Sequence, residues 1–455
     1  MKPTPFLPIV LLTVLTLAWA AVQAIEPAPS AAADVPDNPQ GGIYIVTSRA
    51  SLVGISAIAA EASPVTSRAG TALVLARTDG RGVDALARYM HEQEGRCGGF
   101  FAFASRAEAE AFLANDRTAE AIARPMAGIY TIDNQVTVDA WLPQVQEGNI
   151  YDSIAALSGL TPPHFPNRYY ASPHGRAAAE WIRDTWSALA ARHARAHVAL
   201  HESCTSCSTQ PSVILSIQGS DLADEVVVVG AHLDSIKGNG SDGDNQVAPG
   251  ADDDASGVAT MTEIIRVALA SGWKPRRTVE FHAYAAEEVG LRGSNAIANQ
   301  YQNEGVNVVS MLQLDMTNYR TTASYELRIV TDYSNSALQL YFQQLFDTYL
   351  APMGMTRSSL SCGYACSDHA SWTNRGFPAG MLFEAGEELQ YPGDWADFPY
   401  IHTANDTLAN MGDSAQHSVP FAQFGLAFIG ELGKTTVVLG PAIFEDGFEP
   451  AAGQP

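Results

Sequence analysis

From about residue 213 onwards, apolar residues recur in short, almost uninterrupted runs. Val226–Val229 is four valines without a polar residue between them. A strand of this kind must be buried on both faces, as in a sheet that helices cover on each side. Comparable runs are found at Val213–Ile217, Thr278–Tyr284, Val308–Leu314, Leu327–Thr331 and Ala379–Phe383.

Segments with helical spacing of apolar residues lie between several of these runs. Ala255–Ala270 and Asn335–Tyr349 are two examples, and Gly175–Arg195 is a further helical segment that precedes the first run. Alternation of strands and helices predicts an α/β fold with a mostly parallel, helix-covered central sheet. We place this larger domain at residues 128–434.

The preceding residues predict a smaller α/β unit. Ile43–Thr47, Thr71–Ala76 and Gly98–Phe103 have the composition of strands, and Val83–Glu94 and Arg106–Leu113 that of helices. A junction is expected near 123–129. No metal-type cluster of side chains is present in this part of the sequence.

The first residues have the pattern of an export signal. Lys2 precedes the apolar run Phe6–Ala21, and Ala24 supplies a small residue for cleavage. The run is about 16 residues long, shorter than the ~20 that a membrane-spanning helix needs. We therefore predict a signal peptide at 1–24 and a secreted, extracellular protein.

Charge and cysteine content narrow the function further. The chain has 455 residues and a net charge of −23, which disfavours nucleic acid and anionic membranes as partners.

Export permits disulfides. Of the five cysteines, Cys204 and Cys207 form one close pair, Cys362 and Cys366 another, and Cys97 is left over. Two local disulfides are favoured over a four-thiolate zinc site, because the second pair is C-x3-C rather than C-x2-C.

Metal-capable side chains follow the predicted strands of the larger domain. His232 and Asp234 come directly after Val226–Val229, and Asp252–Asp254 precede the helix that starts near Ala255. Glu287, Glu288 and Asp315 follow two further strands, and His402 lies in a late loop. The carboxyl ends of strands are where open α/β sheets bind ligands. Carboxylates gathered there would repel one another unless a cation lay between them.

The number of ligands suggests two divalent ions of the zinc, cobalt or manganese type. One ion can take His232 and Asp315, the other His402 and Glu288, and one shared aspartate can bridge them. Adjacent side chains diverge, so only one of Glu287 and Glu288 can bind metal, and the other is placed to act as a general base. Asp234 can fix the tautomer of His232.

These residues lie in motifs that resemble peptidase family M28, zinc aminopeptidases, and most closely its secreted bacterial, Vibrio-type leucyl members. The resemblance covers roughly 128–434. The motifs, in chain order, are GAHLD at 230–234, GADDDASG at 250–257, AAEEVGLRGS at 285–294, LDMTNY at 314–319, CGYACSDH at 362–369, and His402-Thr403 with DTL at 406–408.

The resemblance implies roles for individual residues. It implies that Asp253 bridges two Zn²⁺ ions, that Glu287 is the catalytic base and that the Asp253–Asp254 peptide is cis. His232 and Asp315 would complete one zinc site, and Glu288 and His402 the other. Residues implied to line the substrate pocket, beside a Cys362–Cys366 disulfide, are Met316, Tyr364, Phe383 and Ile401.

It also implies an organisation and an activity. Residues 25–127 would be a propeptide that aids folding and inhibits the enzyme, and its removal would dispose of Cys97. Residues 435–455 form a C-terminal tail. The expected substrates are peptides with a free N-terminus and a large hydrophobic first residue, leucine above all, and the expected state is a monomer.

Three alternatives remain open from sequence. A carboxypeptidase on a related fold would need an arginine or similar group to bind the substrate carboxylate, and no motif of the sequence marks one. A zinc glutaminyl cyclase shares the sheet but uses one metal ion. A binding protein of the same fold would have lost catalysis and should lack some ligands, whereas this sequence has the complete set.

Overall fold

The computed structural model describes residues 42–94, 98–238, 243–321, 325–388, 395–396 and 398–436. The predicted signal peptide, Cys97 and all but two residues of the predicted tail lie outside these ranges. The described residues belong to one compact unit. Within them, no helix has the length and apolar character needed to span a membrane.

The strands and helices are as follows. The strands are β1 (Ile43–Ser48), β2 (Glu61–Thr66), β3 (Ala72–Thr78), β4 (Phe100–Phe103), β5 (Ala196–His201), β6 (Ser212–Ile217), β7 (Leu222–His232), β8 (Arg277–Tyr284), β9 (Asn307–Leu314), β10 (Leu327–Val330), β11 (Arg357–Leu360), β12 (Ala379–Phe383), β13 (Glu387–Glu388) and β14 (Trp395–Ala396). The helices are α1 (Leu52–Ile58), α2 (Gly80–Glu94), α3 (Arg106–Ala114), α4 (Thr118–Ala123), α5 (Gln135–Trp141), α6 (Glu147–Leu157), α7 (Pro173–Ala190), α8 (Ala255–Ala270), α9 (Arg292–Glu304), α10 (Ser336–Tyr349), α11 (His369–Asn374) and α12 (Val419–Gly433).

An eight-stranded sheet forms the centre of the larger domain. Its strand order is β11-β10-β12-β9-β7-β8-β6-β5. The four middle strands, β12, β9, β7 and β8, run parallel, as predicted. Towards the edges, β6 pairs antiparallel with β8 and with β5, and β10 pairs antiparallel with β12. The fold is therefore α/β with a parallel centre and mixed flanks.

The valine run of β7 shows why the sheet needs helices on both faces. Val227 and Val229 belong to the main apolar cluster, which also contains residues of α8 and α12. Val226 and Val228 belong to a separate cluster on the opposite face, where Trp372 of α11 packs. Because alternate residues of a strand point to opposite faces, both sets are buried, and an uninterrupted apolar run is the result.

Several predicted boundaries differ from the structure by a few residues, and the largest difference is at the end of α7. The helix expected over Gly175–Arg195 spans Pro173–Ala190. It begins after Ser172, whose hydroxyl accepts the Gly175 N–H as an N-cap. It ends earlier because the chain turns after Ala190, where the His193 ring nitrogen Nε2 lies 2.7 Å from the Trp273 carbonyl oxygen.

The N-terminal unit, residues 42–127, forms an antiparallel sheet of order β2-β3-β1-β4. Its core is continuous with the larger domain. Phe101 and Phe103 of β4 cluster with Leu291 and Ala365 of that domain. A second cluster joins apolar residues of the unit to Val289 and others.

The last part of this unit is fastened directly to the larger domain. The Arg117 N–H donates to the Asn374 carbonyl oxygen. The side-chain amide of Asn335, itself fully buried, donates to the carbonyl oxygens of Ala121 and Arg124. The segment around α4 thus makes hydrogen bonds of its own to the larger domain. The predicted junction at 127/128 remains a prediction.

Candidate metal centre

The predicted metal ligands lie at the carboxyl edge of the parallel strands. His232 is the last residue of β7, Asp315 directly follows β9, and Glu287 and Glu288 follow β8. Asp253 lies just before α8. Parallel neighbours end at the same edge of a sheet, so the fold brings these side chains together.

Asp253 lies between the two histidines. Its Oδ1 is 2.9 Å from Nε2 of His232, and its Oδ2 is 3.1 Å from Nε2 of His402. Each carboxylate oxygen therefore faces a different imidazole, which is the arrangement that a bridging ligand requires. The Asp253–Asp254 peptide is cis.

The other acids complete one group around each histidine. Oδ1 of Asp315 is 3.6 Å from Nε2 of His232, and Oε2 of Glu288 is 2.6 Å from Nε2 of His402. Ligand atoms of His232, Asp253 and Glu288 lie within 4.8 Å of one another. All five side chains are buried.

The chemistry of these side chains suits binding to divalent cations better than it suits contacts among the side chains themselves. Neither carboxylate oxygen of Glu288 receives a hydrogen bond of good geometry from a described residue, although both are buried. Unpaired buried carboxylates are costly, and a bound cation removes that cost. The donor set of imidazole and carboxylate without thiolate suits zinc.

Asp254 also lies close to His232 and Asp315. Its oxygens, however, accept backbone N–H groups from His232, Gly257 and Met316. With both oxygens occupied in this way, Asp254 is better suited to hold three ligand-bearing segments in place than to bind metal.

Glu287 and Glu288 are held in place by the same aspartate. The carboxylate of Asp234 accepts the backbone N–H groups of both, at 2.9 and 3.2 Å. Its Oδ1 is also 3.5 Å from Nδ1 of His232. Burial raises the pKa of Glu288 to about 7, and it raises the pKa of Glu287 well above its ordinary value.

Three further positioning contacts were not predicted from sequence. The carboxylate of Asp406 accepts the N–H groups of Asp252 and Asp253, at 2.8 and 3.1 Å. The Ser367 hydroxyl donates to Oδ2 of Asp315 at 2.6 Å. Both partners are distant in sequence from the ligands they hold, and a single sequence carries no signal for such pairs.

Arg168 makes the third of these positioning contacts. This residue is 1% exposed, and within the described part of the chain its side chain donates only to backbone carbonyl oxygens. One is that of Leu233, between His232 and Asp234, and another is that of Gly250, shortly before the aspartates. A fixed positive charge thus joins two ligand loops beneath a cluster of acids. Its other acceptors are the carbonyl oxygens of Leu157 and Pro249.

The four residues expected in a substrate pocket are near the centre but carry no direct sign of that role. Met316, Tyr364 and Phe383 are buried in the main apolar cluster, and Ile401 is partly buried against it. Their pocket role stays a prediction. Both local disulfides, Cys204–Cys207 and Cys362–Cys366, are formed.

The N-terminal unit reaches the metal centre through the residues that lead into β4. A Cβ atom added to Gly98 would lie 3.8 Å from Oε1 of Glu287. Nearby, the Ala102 N–H donates to the Gly290 carbonyl oxygen at 3.1 Å. Backbone of the unit therefore lies directly beside the side chain expected to act as base.

Comparison with known proteins identifies the family. Residues 212–423 match the model of peptidase family M28. The chain is 34% identical over 345 residues to a "Probable leucine aminopeptidase" of Arthroderma benhamiae, covering 72% of this chain and 85% of the relative. It is 36% identical over 326 residues to "Leucine aminopeptidase 1" of Arthroderma otae, covering 69% and 82%. The chain belongs to peptidase family M28 and is a hydrolase of the aminopeptidase class.

Solved structures agree on the fold. LapB from Legionella pneumophila is similar with a TM-score of 0.69 and 26% identity, covering 86% of this chain and 99% of LapB. LapA aminopeptidase of the same organism gives 0.69 and 25%, covering 86% and 98%. Coverage of 86% exceeds what residues 128–434 could supply, so the similarity extends into the N-terminal unit. The likeness to Vibrio enzymes stays a prediction.

Proposed function

We propose that this protein is a secreted, co-catalytic dizinc aminopeptidase that removes large hydrophobic residues, leucine above all, from the N-terminus of peptides. The observation that carries the proposal is Asp253, whose two oxygens each lie about 3 Å from the Nε2 atom of a different histidine. A site for a single ion would not need a carboxylate placed between two imidazoles.

The proposed ligands divide between two ions. His232 and Asp315 would hold the first, Glu288 and His402 the second, and Asp253 both. Zinc supplies Lewis-acid chemistry: it polarises a carbonyl group and makes water a better nucleophile at neutral pH. Asp234 would keep the proton of His232 on Nδ1 and leave Nε2 free for metal.

Glu287 is the proposed base. Its carboxylate is buried among the proposed ligands, and His232, Glu288 and Asp315 all act electrostatically on it. A carboxylate that binds no metal can accept a proton from the attacking water and return it to the leaving amine. Burial raises the pKa of Glu287, which makes it a stronger base toward the proton of the water. Tyr364 is the candidate donor to the developing oxyanion.

Leucine preference is proposed on two grounds. Both fungal relatives are named leucine aminopeptidases. Met316, Phe383 and Ile401 offer apolar surface close to the ligand loops. Because one methylene changes discrimination by only about 1–3 kcal/mol, we expect a preference rather than exclusivity.

We propose further that residues 25–127 are an inhibitory propeptide. Gly98 beside Glu287 leaves little room for a substrate at the base. Secretion is supported by the export pattern of the sequence and by the two disulfides, which persist in oxidising compartments.

The test is an N-terminal amino-acid panel assayed with the 25–455 chain, cleaved after folding to release residues 25–127, after chelation and after addition of zinc. We expect fastest turnover of leucyl substrates, loss of activity with chelator and recovery at two zinc ions per chain. Recovery complete at one zinc, together with cyclisation of glutaminyl peptides, would favour the cyclase instead. No turnover of any substrate by zinc-loaded protein would favour a binding role.

A further inference from the structure

A second cleft lies away from the metal centre, between the N-terminal unit and the larger domain. Its volume is about 390 Å³. On one side it is lined by residues of β4 and α3, including Phe103 and Glu108. The other side is formed by the polar face of α9, by residues 203–206 and by Arg375. Of the described residues, none that we assign as a metal ligand lines it.

Two buried arginines line this cleft. Arg292 and Arg375 are each 5% exposed. Nη2 of Arg292 and Nε of Arg375 are buried and have no hydrogen-bond partner among the described residues. Two cationic side chains with unused donors therefore border one cavity.

The hydrogen-bond acceptors of these arginines are neutral groups, although the buried carboxylate of Asp116 also acts on the charge of Arg375. Arg292 donates to the carbonyl oxygens of Val289 and Ser206. Arg375 donates to Oδ1 of Asn295 at 3.2 Å and lies over the ring of Phe112. Burial lowers the pKa of Arg375 to about 10, which reflects a desolvated charge that is still cationic at neutral pH.

The carboxylates of the cleft lie at its edge. Glu108 and Glu304 are both exposed, whereas Asn295 beside the arginines is buried. The polar residues in the buried part of the lining are therefore two arginines and an asparagine.

We propose that this cleft binds a small oxyanion, inorganic or carboxylate, between Arg292 and Arg375. A buried charge is costly unless it is paired. The planar guanidinium group donates two parallel hydrogen bonds to oxyanions of this kind. Both the N-terminal unit and the larger domain line the cleft, so a bound anion stabilises their association. The consequence for activation rests on the proposed inhibitory role of the N-terminal unit.

Binding can be tested without measuring activity. The zinc-loaded chain of residues 25–455 is titrated calorimetrically with sodium sulfate and, separately, with succinate, at constant ionic strength maintained with sodium chloride. We expect saturable binding of at least one, and the two titrations separate inorganic from carboxylate ligands. Arg375→Gln should weaken binding about tenfold or more, since it removes a charge-assisted donor pair.

Glu304→Gln is the matched control, and it should change the anion affinity in the opposite direction. Glu304 is exposed, so the substitution leaves the fold intact, and loss of its negative charge should tighten binding about threefold. Absence of saturable binding overturns the proposal. So does the same isotherm in all three proteins, which would place the anion elsewhere, for example at the metal centre.

A second measurement tests the consequence. The anion that binds should slow release of the N-terminal unit under limited proteolysis of the wild-type chain, and should not slow it in Arg375→Gln. If the anion binds but release of the N-terminal unit is unchanged, the anion site stands, and its effect on the association of the two parts is contradicted. If the protein proves not to be an aminopeptidase, the binding result stands unaffected.

Discussion

Gly98 of the N-terminal unit lies against Glu287, close enough that a Cβ atom on Gly98 would be 3.8 Å from Oε1 of the glutamate. The φ angle of Gly98 is +57°, a left-handed conformation in which glycine is favoured. The position therefore combines a backbone requirement with a close approach to the proposed base.

This contact predicts the behaviour of Gly98→Val in the 25–455 chain. The γ-methyl groups would extend beyond the Cβ position into the Glu287 carboxylate, and the left-handed backbone would cost about 1–2 kcal/mol. We expect the segment to move away and the leucyl-anilide activity of the unprocessed chain to rise severalfold.

Gly70→Val is the matched control. Gly70 is in the same unit, has a φ of +84°, and a Cβ there would meet no described atom within 4 Å. It should incur a similar backbone cost without raising activity. Equal activity of Gly98→Val and wild type would count against inhibition through this contact.

Glu287→Gln should separate catalysis from metal binding. The amide cannot accept the proton of the attacking water, so kcat should fall about 10²- to 10⁴-fold. Zinc content, measured by atomic emission, should remain at two ions per chain, and Tm should change little. Wild-type kcat in this variant would remove Glu287 from its proposed role.

The sequence predicted the parts of the fold that depend on local pattern. Val226–Val229 lacks polar alternation and is buried on both faces, and the acids after each parallel strand meet at one edge. These strand ends lie at one edge of the sheet by topology, so the meeting of the side chains that follow them could be anticipated. Their individual roles remain predictions that the family resemblance implies.

Contacts between distant polar residues could not be predicted in this way. Nothing in the sequence near Arg168 shows that it donates to the carbonyl oxygen of Gly250, and nothing near Asp406 points to the N–H groups of Asp252 and Asp253. Backbone groups look alike in any sequence, so a side chain that binds them leaves no pattern. The docking of α4 through Asn335 escaped prediction for the same reason.

Asp253→Asn tests the bridge. An amide nitrogen is a poor metal ligand, so one of the two ions loses a ligand whichever way the side chain turns. We expect tightly bound zinc to fall from two ions to one or none, with loss of most activity. Two zinc ions retained at wild-type affinity would contradict a bridging carboxylate, and Glu287→Gln serves as the control that keeps both.

Removal of metal should make stability depend on pH. Burial raises the pKa of Asp252 to about 6 and those of Glu288 and Asp368 to about 7. Free carboxyl groups titrate near 4, so from about pH 4 to pH 7 the folded metal-free chain binds more protons than the unfolded chain, and its stability falls as pH rises.

We therefore expect chelated protein to have a Tm several degrees lower at pH 8 than at pH 6, since ~1 kcal/mol corresponds to about 2–4 °C for a domain of this kind. Zinc-loaded protein, in which cations compensate the carboxylates, should show a smaller difference. Chelated protein that became more stable between pH 6 and pH 8 would contradict the raised pKa values.

Arg168→Lys tests whether the buried guanidinium positions the metal ligands. Lysine keeps the charge but cannot span the carbonyl oxygens of Leu233 and Gly250 with one rigid fork. If both ligand loops depend on that fork, zinc affinity measured by chelator competition should fall on the order of tenfold or more.

The matched control is Arg277→Lys. Arg277 is also buried and donates to the Leu432 carbonyl oxygen, but it is at the start of β8, the strand end opposite the metal centre. Both variants should lose stability, whereas only Arg168→Lys should lose zinc affinity, and an equal zinc affinity in the two would reduce Arg168 to a purely structural role.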